Sequence, residues 1–223
     1  MHRRISKKIF IYLFIFLTLV TVNNINLSRS FLPTVSTIEI FGLNEVENNQ
    51  ILRNINEIRK NNIFYLDKKK ISEIIYSNKI VDKLFIMKNY PSKLKINIEK
   101  TNFIAFTKKE NLNYYIGSNG NLIKAKNLQI NLPFIFGNVD IEEFLEFKKT
   151  IDNSSFNFSD IKNLYYFKSK RWDLETEDGL IIKLPYQQIK SSLNILSKFS
   201  KHEDFKDIKM VDFRLKNQII VND

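Results

Sequence analysis

Two histidines and no cysteine limit the chemistry available to this chain of 223 residues. Without cysteine there is no disulfide, no thiolate zinc site and no thiol nucleophile. His2 lies in a basic N-terminal tail, and His202 lies alone in the polar segment SKHEDF, beside Glu203 and Asp204. The simpler interpretation of His202 is a solvated turn, and a metal or acid/base site is the alternative.

The other residue types that could do chemistry also lack the necessary spacing. The segment GSNG at 117–120 does not have the pattern of a nucleophile elbow and is typical of a hairpin loop. Five glycines provide no phosphate-binding loop. The acidic residues Glu175, Glu177 and Asp178 are most simply a solvated turn. We therefore predict no catalytic residue, no metal site, no cofactor and no small-molecule substrate.

The charge of the chain admits two interpretations. The formal net charge is +11, which is compatible with binding to nucleic acid or to anionic lipid. The basic residues are nearly all lysine, spread among many asparagines and isoleucines, as an AT-rich coding bias also produces. No basic face emerges at helical spacing, so we predict that the chain does not bind nucleic acid.

The N-terminus combines a basic tail, residues 1–8, with the uncharged apolar run 9–22. This run is shorter than the ~20 residues of a typical spanning helix, and signal-peptide cores are often this short. No Ala-x-Ala-like cleavage site follows, and Ile25 and Leu27 extend the apolar stretch. We expect a transmembrane anchor over 9–27 behind a cytoplasmic tail, with the rest of the chain outside. A cleaved signal peptide and a buried core helix are the alternatives.

The next segment alternates strand and helix signals in the order β-α-α-β-β. A β-branched strand ends at Gly42, and Asn44 with Glu47 forms a capping box that begins a helix. Asp67 is the predicted N-cap of a second helix. The run 81–100, VDKLFIMKNYPSKLKINIEK, then predicts a hairpin whose second strand buries one face.

The remainder of the chain predicts a mainly antiparallel β domain with flanking helices. A meander covers about 102–124, and Asp140 with Glu143 indicates a capped helix to about Lys149. A second helix is predicted over about 186–199. The segment IKMVDFRLKNQIIVND is predicted to form the final strand, over Val211–Val221.

These residues, in this order, resemble the FtsQ/DivIB family of bacterial division proteins. The first part is similar to a POTRA domain through VSTIEIFGLNEV, NIFYLD and YPSKLKINIEK, and the second part is similar through NYYIGSNGNLI, LPFIFGN, RWDLETEDGLIIKLP and VDFRLKNQIIV. The resemblance implies an α+β fold, with a POTRA domain at 33–101 and an FtsQ-type β domain at 102–223.

The resemblance also implies a bitopic inner-membrane scaffold at the division septum. Such a protein binds FtsB with FtsL in the periplasm, joins other division proteins, and links their assembly to septal peptidoglycan synthesis. It is not an enzyme.

An edge strand offers unpaired N–H and C=O groups that a partner strand can complete. We predict FtsB binding by strand addition at the edge Val211–Val221, with side chains contributed by Val211, Phe213, Leu215, Asn217 and Ile219. The resemblance also implies that a basic residue before Trp172, Lys170 or Arg171, pairs with an acidic residue of FtsB. A plain core position is the alternative for Phe213. Other functions stay open: a POTRA-type chaperone for exported chains, a membrane-tethered binder of anionic polymer, and last an enzyme.

Overall fold

The computed structural model describes residues 7–23, 33–125, 132–200, 208–215 and 218–222. The chain divides into two compact units, 1–100 and 101–223. Each unit has a separate hydrophobic core, and the described residues of one core are not shared with the other.

Helix α1 spans Lys7–Asn23 and is apolar over most of its length. With 17 residues, it is shorter than the ~20 that a typical bilayer span requires. Among the described residues, no helix is both long enough and apolar enough to cross a membrane. The transmembrane helix predicted over 9–27 is therefore not found, because the described helix ends at Asn23 and residues 24–27 lie outside the described part of the chain.

The first unit continues with the predicted β-α-α-β-β order. Its elements are β1 (Thr37–Phe41), α2 (Glu45–Asn54), a 3-10 turn (Asn56–Lys60), α3 (Lys68–Tyr76), β2 (Val81–Asn89) and β3 (Lys93–Lys100). The three strands form a sheet in the order β1-β3-β2, in which β3 pairs parallel with β1 and antiparallel with β2. The hairpin predicted over 81–100 is confirmed.

Hydrogen bonds at the N-caps explain where helices α2 and α3 begin. The Asn44 side chain accepts a hydrogen bond from the Glu47 backbone N–H at 2.9 Å, and Glu47 accepts one from the Asn44 N–H at 3.3 Å. Asp67 accepts from the Lys69 N–H at 2.8 Å at the start of α3. Both caps satisfy N–H groups that have no partner within the helix. The helices cover one sheet face, and their buried residues Ile51, Ile71 and Ile75 share a core with the β3 residues Leu94, Ile96 and Ile98.

The second unit contains a nine-stranded sheet in the order β12-β11-β10-β9-β8-β7-β4-β5-β6. The strands are β4 (Phe103–Lys109), β5 (Leu112–Gly117), β6 (Leu122–Lys124), β7 (Phe134–Phe136), β8 (Ile161–Tyr166), β9 (Trp172–Thr176), β10 (Ile181–Lys183), β11 (Met210–Asp212) and β12 (Ile220–Asn222). The helices are α4 (Ile141–Asp152) and α5 (Ile189–Phe199). Most pairings are antiparallel, as predicted.

Two crossovers through the helices account for two of the three parallel pairs among the described strands of this sheet. The chain leaves β7, passes through α4 and returns as β8, and it leaves β10, passes through α5 and returns as β11. Parallel neighbours require such a crossover over one sheet face. Buried residues of both helices therefore join the same core, where the Trp172 ring stacks on Phe147 at 4.4 Å.

Two sequence predictions for this unit need correction. The helix predicted from about residue 186 begins at Ile189. The Asp140 cap is present, but its side chain accepts from the Glu142 N–H at 2.8 Å, and Glu143 is paired elsewhere instead of closing a capping box.

Two glycines with positive φ give a matched test of backbone packing in the second unit. Gly137 has φ +101°, and a Cβ there would lie 2.2 Å from the Tyr166 carbonyl oxygen. Gly179 has φ +90°, but a Cβ there would meet nothing within 4 Å. We expect Gly179→Ala to lower the free energy of unfolding by about 1 kcal/mol, from backbone strain alone.

The Gly137→Ala change adds a steric clash, so we expect a loss of more than about 2 kcal/mol. The measurement is urea unfolding followed by the fluorescence of Trp172, which is buried in this unit. Equal losses for the two variants would contradict the packing assigned to Gly137.

Candidate functional site

The C-terminal edge of the nine-stranded sheet is the candidate site. The outermost strand is β12, which pairs antiparallel with β11 and has no neighbour on its other side in the described sheet. The prediction of one strand over Val211–Val221 is wrong. Strand β11 ends at Asp212, and the Leu215 carbonyl accepts a hydrogen bond from the Gln218 N–H at 3.3 Å, which is the spacing of a turn.

The structure separates the predicted site residues into buried and exposed groups. Val211 and Phe213 are 1% and 7% exposed and belong to the hydrophobic core. Leu215 and Ile219 are 51% and 39% exposed. Asn217 lies outside the described residues. The side chains available to a partner therefore come from the turn and from β12, whereas Val211 and Phe213 support the edge from inside.

A row of polar side chains crosses the sheet face opposite the helices and ends at this edge. The strand registers place Tyr165 beside Asp173, Asp173 beside Lys183, Lys183 beside Asp212, and Asp212 beside Ile220. Asp173 and Asp212 are each only 6% exposed, whereas Ile220 is 45% exposed. The row therefore changes from buried charge to exposed apolar surface at β12.

Two arginines pair with the buried carboxylates at the same end of the sheet. Arg171 donates to Asp173 from Nε at 3.1 Å and from Nη2 at 3.4 Å, and its guanidinium lies over the Phe167 ring at 4.3 Å. Arg214 donates to both carboxylate oxygens of Asp212. Because β9 runs opposite to β11, Arg171 before β9 and Arg214 after β11 lie at one end of their strands.

Lys170 differs from Arg171 in its partner. Its ammonium donates to Glu143 of α4 at 2.5 Å, and the Tyr166 hydroxyl donates to the other oxygen of the same carboxylate. The Lys170 ammonium and the Tyr166 hydroxyl lower the pKa of Glu143. Lys170 is thus held toward α4, whereas Arg171 is held toward the carboxylate row.

The two carboxylates of the row titrate in opposite directions. Burial raises the pKa of Asp173 above its ordinary value, and Arg171 offsets only part of that effect. The Arg214 guanidinium lowers the pKa of Asp212. Arg214 therefore compensates fully for the burial of Asp212. Arg171 compensates only in part for the burial of Asp173.

The residues of this edge do not form a metal site. Across the described ranges, no group of three or more His, Cys, Asp and Glu side chains is arranged to hold a metal ion. His2 and His202 both lie outside the described residues. What the edge offers is backbone hydrogen bonding, exposed apolar side chains and guanidinium groups, which is the chemistry of a protein interface.

The predicted site residues do not include Arg214, Ile220 and Val221, although all three lie within the predicted edge strand Val211–Val221. The signal available was the pair of spacings Arg171-x-Asp173 and Asp212-x-Arg214, which place each charge pair on one face of an extended chain. Ile220 and Val221 form a separate edge strand because the chain reverses direction after β11, which a single predicted strand over Val211–Val221 does not include.

The raised pKa of Asp173 makes folding stability depend on pH. Because the pKa of Asp173 is raised, the folded state keeps its proton to a higher pH than the unfolded state, whose pKa is ~3.9. Ionisation of this carboxyl therefore lowers the free energy of unfolding as pH rises from that value through the folded-state pKa. We expect Asp173→Asn to remove this loss. The free energy of unfolding of the variant, relative to the unaltered chain, should therefore increase from about pH 4 to about pH 7.

Urea unfolding at several pH values, followed by Trp172 fluorescence, measures the difference. Asp212→Asn is the matched control: the pKa of Asp212 is lowered, so this carboxyl stabilises the fold above the unfolded-state pKa of ~3.9, and the stabilisation is lost as pH falls below it. The free energy of unfolding of this variant, relative to the unaltered chain, should therefore fall as pH rises to about 4 and should not rise between about pH 4 and about pH 7. A parallel pH dependence in the two variants would contradict the assignment.

Comparison with known proteins identifies the two units. A model of the FtsQ-type POTRA domain matches residues 34–100, and a model of the C-terminal domain of cell division protein FtsQ/DivIB matches residues 105–214. Cell division protein DivIB of Bacillus subtilis is 26% identical over 206 residues, which are 87% of this chain and 76% of that protein.

Cell division protein FtsQ of Bradyrhizobium diazoefficiens is 22% identical over 191 residues, which are 84% of this chain but only 56% of that relative. The solved extracytoplasmic domain of DivIB from Geobacillus stearothermophilus, in its trans isomer, superposes with a TM-score of 0.36 at 15% identity, covering 48% of this chain and 96% of the other. From its two matched domains, the chain belongs to the FtsQ/DivIB family of cell division proteins.

Proposed function

We propose that this chain is a division scaffold, not an enzyme, and that strand β12 binds a strand of FtsB, in complex with FtsL, by addition to the sheet. The protein thereby links the assembly of division proteins to septal peptidoglycan synthesis. The single observation that carries this proposal is the open hydrogen-bonding edge of β12 beside exposed apolar side chains.

The hydrogen bonds of β11 indicate which groups of β12 face outward. Phe213 N–H donates to the Lys183 carbonyl and the Lys209 carbonyl accepts from the Ile181 N–H, so the backbone groups of Val211 between them face β10. The Lys209 N–H, just before β11, donates to the Asn222 carbonyl of β12. The even-numbered residues Met210 and Asp212 then bond toward β12, opposite Asn222 and Ile220. The backbone groups of the intervening Val221 are directed to the open edge, where a partner strand can bond to them.

Side chains around the edge supply specificity. Leu215, Ile219, Ile220 and Val221 are between 39% and 51% exposed, and they give an adding strand apolar surface to bury. Arg171 and Arg214 lie at the end of the strands where Ile220 begins β12. A partner carboxylate placed there would share the guanidinium groups that now bind Asp173 and Asp212.

We further propose that α1 attaches the chain to the inner membrane, with the basic residues 1–8 in the cytoplasm and both domains outside. The large apolar side chains between Ile9 and Val20 are 46% to 69% exposed. None of the described residues of α1 belongs to either core. Contact with lipid would remove this apolar surface from water.

The edge mechanism predicts a strong effect of proline at Val221. Val221→Pro removes the outward N–H donor without removing a bond to β11, because proline is tolerated on the open side of an edge strand. We expect affinity for the periplasmic segment of the same organism's FtsB to fall at least tenfold, or about 1.4 kcal/mol, while Trp172 fluorescence and thermal unfolding stay unchanged. Titration calorimetry measures the affinity.

The matched control is Lys124→Pro on the opposite edge of the same sheet. Lys124 lies between residues that bond to β5, since the Ala125 N–H donates to the Asn113 carbonyl. This variant should bind as the unaltered chain does. A second variant, Leu215→Glu, places a charge in the apolar contact and should also weaken binding. Full affinity in Val221→Pro, with the fold intact, would contradict strand addition at β12.

Salt dependence separates this mechanism from binding to an anionic polymer. Strand addition depends mainly on backbone hydrogen bonds and apolar contact, so its affinity should change little between low and moderate salt, whereas polymer binding falls steeply. Equal binding of any extended peptide would instead indicate a general chaperone of exported chains.

A further inference from the structure

We propose that one end of the first unit binds the membrane surface directly, through an aromatic and basic cluster that recognises anionic phospholipid headgroups. The cluster consists of Phe64, Tyr65 and Tyr90 with the lysines Lys68, Lys69, Lys70 and Lys88. This proposal goes beyond the binding of a division protein, because it assigns a second ligand to a different surface.

The aromatic part of the cluster joins two loops. The Phe64 and Tyr90 rings stack with their centroids 4.7 Å apart, although Phe64 precedes α3 and Tyr90 lies in the β2–β3 turn. The side chains of Phe64, Tyr65 and Tyr90 are 47%, 56% and 58% exposed. Large aromatic residues, tyrosine in particular, are typical of the boundary between lipid and water, and these three are exposed together.

The basic part of the cluster flanks the loop that carries Phe64, with Lys88 on β2 and three lysines at the start of α3. Lys88 donates to the Phe64 carbonyl at 3.2 Å, and the charge of Lys68 is near enough to help lower the pKa of Lys88, after burial as the main cause. Lys68, Lys69 and Lys70 fill the first turn of α3, in which there is no acidic residue. Cations at a helix N-terminus oppose the helix dipole, so these lysines lower the stability of α3.

The acidic residue at the start of α3, Asp67, is engaged in capping the helix. The Asp67 carboxylate accepts the backbone N–H of Lys69 and caps α3, and it also opposes the charge of Lys88. Asp67 and Glu73, which lies one helical turn after Lys69, are two carboxylates against four lysines, so an excess of positive charge remains. An anionic headgroup layer complements that charge, at about 1 kcal/mol for each lysine near the surface.

The chain that arrives from α1 enters the first unit at the same end as the cluster. The Ile63 N–H donates to the Pro33 carbonyl at 3.3 Å, and the Ser36 N–H donates to the Ser92 carbonyl at 2.8 Å. Pro33 therefore enters the unit between the loop that carries Phe64 and the turn that carries Tyr90. Residues 24–32 separate Pro33 from α1, and a chain of that length reaches at most ~35 Å. This step rests on the proposed attachment of α1 to the membrane.

Vesicle binding by residues 33–223 tests the cluster without α1. Every described core residue lies between Val35 and Phe213, so this fragment retains both cores. We expect it to float with vesicles of phosphatidylethanolamine and phosphatidylglycerol, and not with vesicles of phosphatidylcholine alone. The double variant Lys69→Glu/Lys70→Glu should bind at least tenfold more weakly. Phe64→Ser/Tyr65→Ser should also weaken binding.

Matched controls lie in the second unit. Lys108→Glu/Lys109→Glu changes the net charge equally, and Tyr186→Ser removes a tyrosine that is 62% exposed. Both should bind as the unaltered fragment does. Absence of vesicle binding, equal weakening by cluster and control variants, or binding that does not need phosphatidylglycerol would each overturn the proposal. Membrane recovery of the full chain tests α1 separately, since it should survive the cluster variants.

Discussion

The two crossovers through α4 and α5 are the constraint on which the second unit depends. Parallel strands cannot be joined by a tight turn, so each crossover must pass over a face of the sheet. Both helices bury their apolar residues in one core, and the opposite face keeps the polar row from Tyr165 to Asp212. Because β11 returns parallel to β10, the chain can add β12 only on the outside, where it becomes the open edge.

The row of polar side chains and strand β12 both contribute to the proposed interface. Asp173 and Asp212 are buried beneath Arg171 and Arg214, so each guanidinium is positioned by a carboxylate before any partner arrives. Such positioning reduces the side-chain entropy lost on binding. The hydrophobic core supports the same edge from below through Val211 and Phe213. The proposed interface is therefore a rigid rim of charges beside a strand that is open to pairing.

Much of the fold could be predicted from sequence because its signals are local. The Asn44 and Asp67 caps, and the period of two along β3, each depend on neighbours a few residues away. The antiparallel pair of β11 and β12 could not be predicted in this way, because the sequence between them, 213–219, contains no glycine or proline. The roles of Arg214 and Ile220 depend on strand register, which single-sequence periodicity does not specify. Likewise, the net charge of +11 does not indicate which residues form a charged cluster on the surface.

Amide hydrogen exchange of residues 33–223, with and without the FtsB segment, tests the central claim most directly. A strand added to the sheet would occupy the outward N–H of Val221, so the account predicts slower exchange there on binding. The amide of Lys124 on the opposite edge should be unaffected. Unchanged exchange at Val221 together with protection at another edge, for example along β2, would contradict the account and place the partner elsewhere.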